Sequence, residues 1–333
     1  MMEKILSISV AAYNLENMIR QCLDSFVEDE ILKKVEVLVT DDGSKDNTRE
    51  IVKEYEDKYP GSFKLIAQKN AGPGSTVNSG LLHATGKYFR MVDGDDWVDT
   101  EEMTEYLKYL EEHDTDMVCT NYTCVDNVTG EKRKNRMQVT TWEREMIFQD
   151  VAGSIQLEMH NVTFRTEILK KNKIILDNGF YTDTEYLLLP VPYIKTIAFL
   201  DKNIYMYRVS LDTQSINIKS LQKNVQMHRI VLNRLLEEYE KYRQSDDWNE
   251  SIGKYYCARI AYITGTQLSI YLSFTDPNKY KKMTQELVKS IKDEHVDVYR
   301  NIMKLKTFKL LVWSNFLTFN VISKMHRKRL GLK

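Results

Sequence analysis

The sequence is poor in the residues that mark several protein classes. It has 5 prolines and 13 glycines in 333 residues, too few for a collagen-like or low-complexity chain. Its four cysteines, Cys22, Cys119, Cys124 and Cys257, are scattered and show neither a CxxC pair nor a Cys/His zinc spacing, so they read as reduced thiols of a cytosolic protein. Neither sign of charge is in surplus: 47 Lys and Arg against 48 Asp and Glu leave a net charge of −1, and no global field would draw the chain onto nucleic acid. Long apolar runs are missing too. No stretch reaches the roughly 18 apolar residues that cross a bilayer, and the short charged start before ILSISV does not read as a signal peptide.

What remains is the mix of a folded protein, 42% hydrophobic and 29% charged, with enough chain for a large domain and an appendage. The first 125 residues alternate strand-like and helix-like patterns. Ile5 to Val10 alternates with a period of two; Leu15, Met18, Ile19, Cys22, Leu23, Phe26 and Val27 recur at helical spacing; Val35 to Val39 is a β-branched run closing on Asp41. Phe63 to Ile66, Tyr88 to Val92 and Met117 to Tyr122 continue the strands. The intervening helices carry Ile51, Val52 and Tyr55, then Ser75 to Ala84, then Met103, Tyr106, Leu107 and Leu110. Such order predicts an α/β fold, a Rossmann-like, mainly parallel sheet with helices on both faces and the strand C-termini along one edge, where ligands bind.

Val128-Thr129-Gly130 reads as a hairpin turn and KRKNR after it as an exposed basic loop. Residues 140 to 218 are mixed, with Ile197 to Leu200 and Ile204 to Tyr207 as strands. Long helical segments follow Leu221, such as Val225 to Tyr242 and Tyr255 to Leu272. The expected division is 1–220 and 221–333.

Acidic residues gather at the predicted strand ends: Asp41 and Asp42, then Asp93, Asp95 and Asp96, and later Asp183 with Glu185. Carboxylates crowded on one edge repel unless a cation joins them, and hard oxygen ligands of this kind suit Mn²⁺ or Mg²⁺. Asp93 and Asp95 are two apart and project to one side of extended backbone, with Gly94 between them leaving room for a ligand. Each cluster alone is equally a turn or helix cap.

Order and spacing favour the chemical reading. AAYN follows the first strand, DDGSKDNT the second, NAGPGSTVNSG precedes the third crossover helix, and GKYFRMVDGDD comes after it. Together these resemble the nucleotide-sugar-binding half of the inverting family-2 glycosyltransferases with the GT-A fold, strongly over residues 4 to 122 and more loosely to about 218. The resemblance places Ala11 and Tyr13 around the nucleoside, with Tyr13 on the base. Asp42 would accept from the base imide beside Asp41, and Asn70, Gly72 and Asn78 would frame the donor pocket. Thr76-Val77 stands where family members often have Ala-Arg, which removes one basic diphosphate contact. Asp93-Gly94-Asp95 looks like the DXD motif, with Asp95 on the metal and Asp93 or Asp96 in a water-bridged or ribose contact.

NGFYTDTEYLLLP is similar to the region where the family opens a helix with a Glu-Asp pair. Here Thr182 takes the first place and Asp183 the second, so Asp183 is the expected base that deprotonates the acceptor hydroxyl, with Glu185 in reserve. Trp97 and His160 are expected at the acceptor, and Arg208 and Gln214 in a loop closing over the diphosphate. The implied activity is transfer of a sugar from a nucleotide diphosphate sugar, UDP-linked by the family's habit, to a glycan or lipid-linked oligosaccharide in cell-surface polysaccharide synthesis. A nucleotidyltransferase and a silent sugar-nucleotide-binding module are the alternatives. Toward the C-terminus, Phe308, Leu311, Val312, Phe316, Phe319 and Ile322 form one helical stripe that Leu310, Trp313, Leu317 and Val321 widen, before the basic KMHRKRLGLK. Such a helix either lies on an anionic membrane, making the protein peripheral on the inner face of the cell membrane, or packs on protein, including a homodimer.

Overall fold

A computed structural model describes residues 4–210 and 217–332. The chain divides into two compact units, Met1–Leu211 and Asp212–Lys333.

The first unit is built on one ten-stranded sheet: β1 Leu6–Ala12, β2 Val35–Asp41, β3 Phe63–Ala67, β4 Tyr88–Asp93, β5 Trp97–Val98, β6 Met117–Asp126, β7 Lys132–Asn135, β8 Glu145–Ile147, β9 Val162–Arg165 and β10 Thr196–Val209. Its order is β3-β2-β1-β4-β9-β6-β10-β5, with β7 beside β6 and β8 beside β10. The first four neighbours are parallel, as the alternation predicts. β9 enters antiparallel between β4 and β6, and β6 and β10 are parallel again.

β1 is buried on both faces, which a parallel central strand requires. Leu6, Ile8 and Val10 lie on one side; Ser7 and Ser9 lie on the other, where small side chains admit the helix Pro73–His83. The approach is close: a Cβ on Gly80 would stand 2.1 Å from Ser9 Oγ. Each fully buried Leu, Ile or Val contributes about 1.5–3 kcal/mol of transfer free energy, and this strand alone buries three, Leu6, Ile8 and Val10.

Four expectations change. The helical spacing from Leu15 to Val27 is not one helix: Ile19–Asp24 forms, and a separate helix, Asp29–Lys34, follows it. Its start is delayed because Asn14 has a positive φ of 54° and the amides of Asn14, Leu15 and Glu16 donate to Ser44 Oγ, Thr48 Oγ1 and Asp46 instead of to a helix. The basic run is not a loop. Lys132–Asn135 is the exposed strand β7, the second arm of the hairpin whose turn contains Gly130 at φ 72°. The two late apolar runs form a single 14-residue strand, β10, irregular between Leu200 and Tyr205.

The fourth change concerns the second unit. Its described residues form helices and no strand, with Val225–Arg243, Glu250–Leu272 and Pro277–Glu294 as the long members. The central helix Glu250–Leu272 is packed by the others, and a buried hydrogen bond of 2.7 Å joins His228 to Gln267. Its C-terminal stripe is two helices, Lys306–Trp313 and Phe319–Arg329, because Asn315 and Phe316 take positive φ values of 47° and 58°. Among the described residues no helix is long and apolar enough to cross a membrane.

Candidate active site

Sheet register assembles the site. Ala11 pairs with Asp93, and Ala12 with Asp41, so the C-terminal ends of β2, β1 and β4 stand side by side. Asp93, Asp95 and Asp96 follow at the end of β4, each offering an oxygen, all within 4.8 Å of one another. Gly94 serves the protein rather than a ligand. Its amide donates to the Ala11 carbonyl at 3.1 Å, and a Cβ there would stand 2.7 Å from that oxygen and from the Leu15 side chain.

The three acids differ in their partners. Asp96 is buried, its Oδ2 accepting from the Tyr205 hydroxyl at 2.6 Å and its Oδ1 from the Arg208 amide at 2.6 Å. The same Tyr205 hydroxyl accepts from the Asp93 amide at 3.1 Å, so one buried phenol holds both ends of the motif. Burial, then the charges of Asp95 and Asp183, push the Asp93 carboxyl up to about 7. Burial also raises Asp95, and burial with the charges of Asp93 and Asp95 raises Asp96. Three enclosed oxygens that resist carrying charge together suit a hard divalent cation, which relieves desolvation and mutual repulsion at once.

Asp183 is exposed at the first turn of the helix Thr182–Leu188, and its charge reaches Asp93. Glu185 is fully buried and accepts from the Asp177 amide at 2.6 Å, so it anchors the preceding loop instead of standing by as a second base. Thr182 is buried too, with its methyl 2.6 Å from where a Cβ on Gly74 would lie; this crowded place suits a Thr better than a charged Glu.

The loop leading to Asp183 is held from the other side of the sequence. Asn78 Nδ2 donates to the Leu176 carbonyl at 2.8 Å, and the Leu176 amide donates to Asn78 Oδ1 at 2.9 Å. Cβ atoms on Gly72 and Gly74 would stand 2.0 and 1.7 Å from the carbonyl oxygens of Asn178 and Asp177. Gly72, at φ 96°, and Asn78 therefore hold the loop of the expected base rather than face outward. Asn70 is exposed beside them.

Asp41 and Asp42 also differ from expectation. Asp41 is fully buried, forms a two-pronged pair with Arg49 at 2.9 and 2.7 Å, and accepts from the Ser44 amide. Asp42 accepts from Gln68 Nε2 and the amides of Ala71 and Gly72 at 2.8 to 2.9 Å, with both oxygens turned into the Asn70-Ala71-Gly72 turn. Tyr13 is 45% exposed at the end of β1.

Arg208 is occupied within the protein. Its Nε donates to the Asp95 carbonyl at 2.7 Å, its Nη atoms donate to Asn127 and Gln21, and its guanidinium lies 4.8 Å over the Trp97 ring. Gln214 lies outside the described residues. The His160 ring is enclosed by Tyr122, Tyr205 and Tyr207, and burial, with the Arg90 charge, lowers it to about 3. Arg90 is itself fully buried and donates to Thr120, Thr163 and the His160 carbonyl, which fixes that segment against β4. Tyr122 leads on from His160 to a cavity of about 430 Å³ lined also by Asn135, Gln138, Gln156, Glu158 and Asn161.

Sequence reasoning missed Tyr205, Arg49 and Arg90. Tyr205 had a signal in the run YMYR; the other two are single basic residues inside a helix and a strand, with nothing local to distinguish them.

Comparison with known proteins bears on family and fold. The sequence model of Glycosyl transferase family 2 matches residues 7–174. Relatives include GlyA of Streptococcus pneumoniae, 25% identical over 218 residues, covering 61% of this chain and 30% of that protein. EpsH of Bacillus subtilis is 26% identical over 258 residues, covering 71% of this chain and 72% of its own length. The chain thus spans less than a third of GlyA. The crystal structure of S. aureus TarS 1–349 in complex with UDP-GlcNAc superposes with a TM-score of 0.62 at 20% identity, covering 98% of this chain and 92% of that one, a likeness of fold.

Proposed function

The chain belongs to glycosyl transferase family 2, and from that premise we propose a cation-dependent, inverting enzyme that moves a sugar from a UDP-sugar to a hydroxyl of a surface glycan or lipid-linked oligosaccharide. The observation that carries this reading is the Asp93, Asp95 and Asp96 cluster at the end of β4, with the charge of Asp183 acting on Asp93.

Inversion needs the acceptor hydroxyl to attack the anomeric carbon from the face opposite the nucleotide while a carboxylate takes its proton. Asp183 is exposed and stands where its charge reaches the cluster, which supports it as that base. Asp95 and Asp93 would hold Mn²⁺ or Mg²⁺, with Asp96 fixed by Tyr205 as the wall of that site. When bound, the ion would neutralise the diphosphate and stabilise the departing nucleotide. Tyr13, half exposed beside the strand ends, is assigned to the base. Asp41, Asp42, Gly72 and Asn78 are assigned to shaping the donor loop rather than to touching the donor. Arg208 is assigned to bracing Asp95 and Trp97, and His160 to the wall between the cluster and the acceptor side.

A UDP donor is supported by the shared fold of TarS, whose crystal structure contains UDP-GlcNAc. A lipid-linked acceptor would set the enzyme to work on the inner face of the cell membrane. Incubation with separate UDP-sugars and Mn²⁺, with nucleotide release as the readout, tests the proposal. UDP released only with the cation supports it; release of sugar 1-phosphate, the group that a uridylyl transfer from the same donor would leave, or binding with no release under any acceptor mixture, refutes it.

A further inference from the structure

We infer that the second unit carries a docking face for a bilayer with anionic headgroups, formed by one side of its last two helices. The inference rests on the proposed function only for where the enzyme works.

The apolar residues of this segment divide into two rows. Phe308, Leu311, Phe316 and Phe319 are buried. Leu310, Trp313, Leu317, Val321 and Met325, spaced three or four apart, are 48 to 79% exposed. The exposed row cannot simply turn inward, because the opposite side is tied down: Ser323 Oγ donates to the Leu272 carbonyl at 2.9 Å, and His326 Nε2 meets Ser269 Oγ at 2.9 Å. Both anchors lie on the helix Glu250–Leu272 or at its end.

Charge identifies the occupant. From Val298 to the C-terminus the sequence contains nine Lys and Arg and neither Asp nor Glu, in a chain whose net charge is −1. Lys306, Lys309, Lys324 and Lys328 are exposed on these two helices, and Lys309 lies 4.6 Å over the Trp313 ring. A row of Leu, Val, Met and Trp bordered by lysines matches the boundary of an anionic bilayer, where apolar groups enter the acyl region and the ammonium groups stay with the headgroups. A second copy of this chain fits less well, since pairing through the face would oppose two segments lacking any acid. An anionic glycan would satisfy the lysines but leave the apolar row in water.

The test is sedimentation of the full chain with vesicles of equal phosphatidylglycerol and phosphatidylcholine, and with phosphatidylcholine alone. Binding to the anionic vesicles, weakened by high salt, is expected. The double substitution W313A with L317A should weaken it roughly tenfold or more, and K324Q with K328Q severalfold. Nucleotide release by these variants in vesicle-free solution should equal that of the parent chain, which keeps this proposal distinguishable from failure of the catalytic one. The inference is overturned if the parent chain stays in solution with anionic vesicles, if the variants bind equally well, or if Leu317→Asp dissolves a dimer that takes up no lipid.

Discussion

The carboxyl of Asp93 at the end of β4 is raised by burial and by the charge of Asp95, and Asp183, in the first turn of the helix Thr182–Leu188, adds to that rise. A residue from the loosely patterned half of the first unit thus shares the electrostatics of the acidic motif. Replacing Asp183 with Asn should lower transfer by about 10²–10⁴-fold, the usual contribution of a positioned base. Affinity for UDP, measured by calorimetry with Mn²⁺ present, should stay within a few-fold of the parent. Retained turnover would remove Asp183 from its role.

Cation-free protein should lose stability as the pH rises. The Asp93 carboxyl is raised to about 7 from an ordinary value near 3.8, so the folded state holds its proton more tightly than the unfolded state does. The stabilising contribution is complete below about 3.8 and is lost as the pH climbs through 7. Melting temperatures in EDTA and in Mn²⁺ at pH 5.5 and 8 check this: the gain from Mn²⁺ should be larger at pH 8. An equal gain at both values would contradict the assignment.

Tyr205→Phe removes a buried hydroxyl that donates to Asp96 and accepts from the Asp93 amide. A hydrogen bond to a charged group contributes about 1.5–3 kcal/mol, so urea unfolding should register a loss in that range. Titration with Mn²⁺, followed by its paramagnetic resonance signal, should show weaker binding, because Asp96 and the Asp93 backbone lose their common anchor. Unchanged Mn²⁺ affinity would make Tyr205 a packing residue only.

His160 has the opposite sign. Burial and Arg90 lower its imidazole to about 3 from an ordinary 6.5, so the unfolded chain takes up a proton that the folded chain refuses. Stability should be full above 6.5 and decline as the pH falls from there toward 3. His160→Phe, which keeps a ring among Tyr122, Tyr205 and Tyr207, should flatten that slope in denaturant titrations at pH 4, 5 and 7. A slope identical to the parent's would refute the account.

Asn78→Ala breaks the paired hydrogen bonds to Leu176, and Gly74→Ala drives a methyl against the Asp177 carbonyl. Both should loosen the segment that carries Asp183, so kcat should fall at least tenfold while KM for the donor changes little. A rise in KM with kcat preserved would instead make Asn78 a donor contact.

Strands β1 to β4 and β6, the α/β class and the acidic motif at the end of β4 were legible because each is a local pattern: period-two runs, helical spacing, and carboxylates two residues apart. The break of the C-terminal stripe at Asn315 and Phe316 was not, because the heptad-like spacing of apolar residues continues across it. Nor was the use of Asp42, whose sequence context suits a ligand contact and a loop clamp equally well.

Composition and pattern alone determined that β1 to β4 pair in parallel with acids at their C-terminal ends, since burial periodicity and strand-end chemistry are written residue by residue. Only the tertiary structure decided which acids are spent within the protein. Asp41, Asp42 and Glu185 accept from Arg49, Gln68 or backbone amides, whereas Asp93, Asp95 and Asp96 bring their oxygens within 4.8 Å of one another. A carboxylate's task depends on which donors surround it, and those donors arrive from strands and loops far away in the sequence.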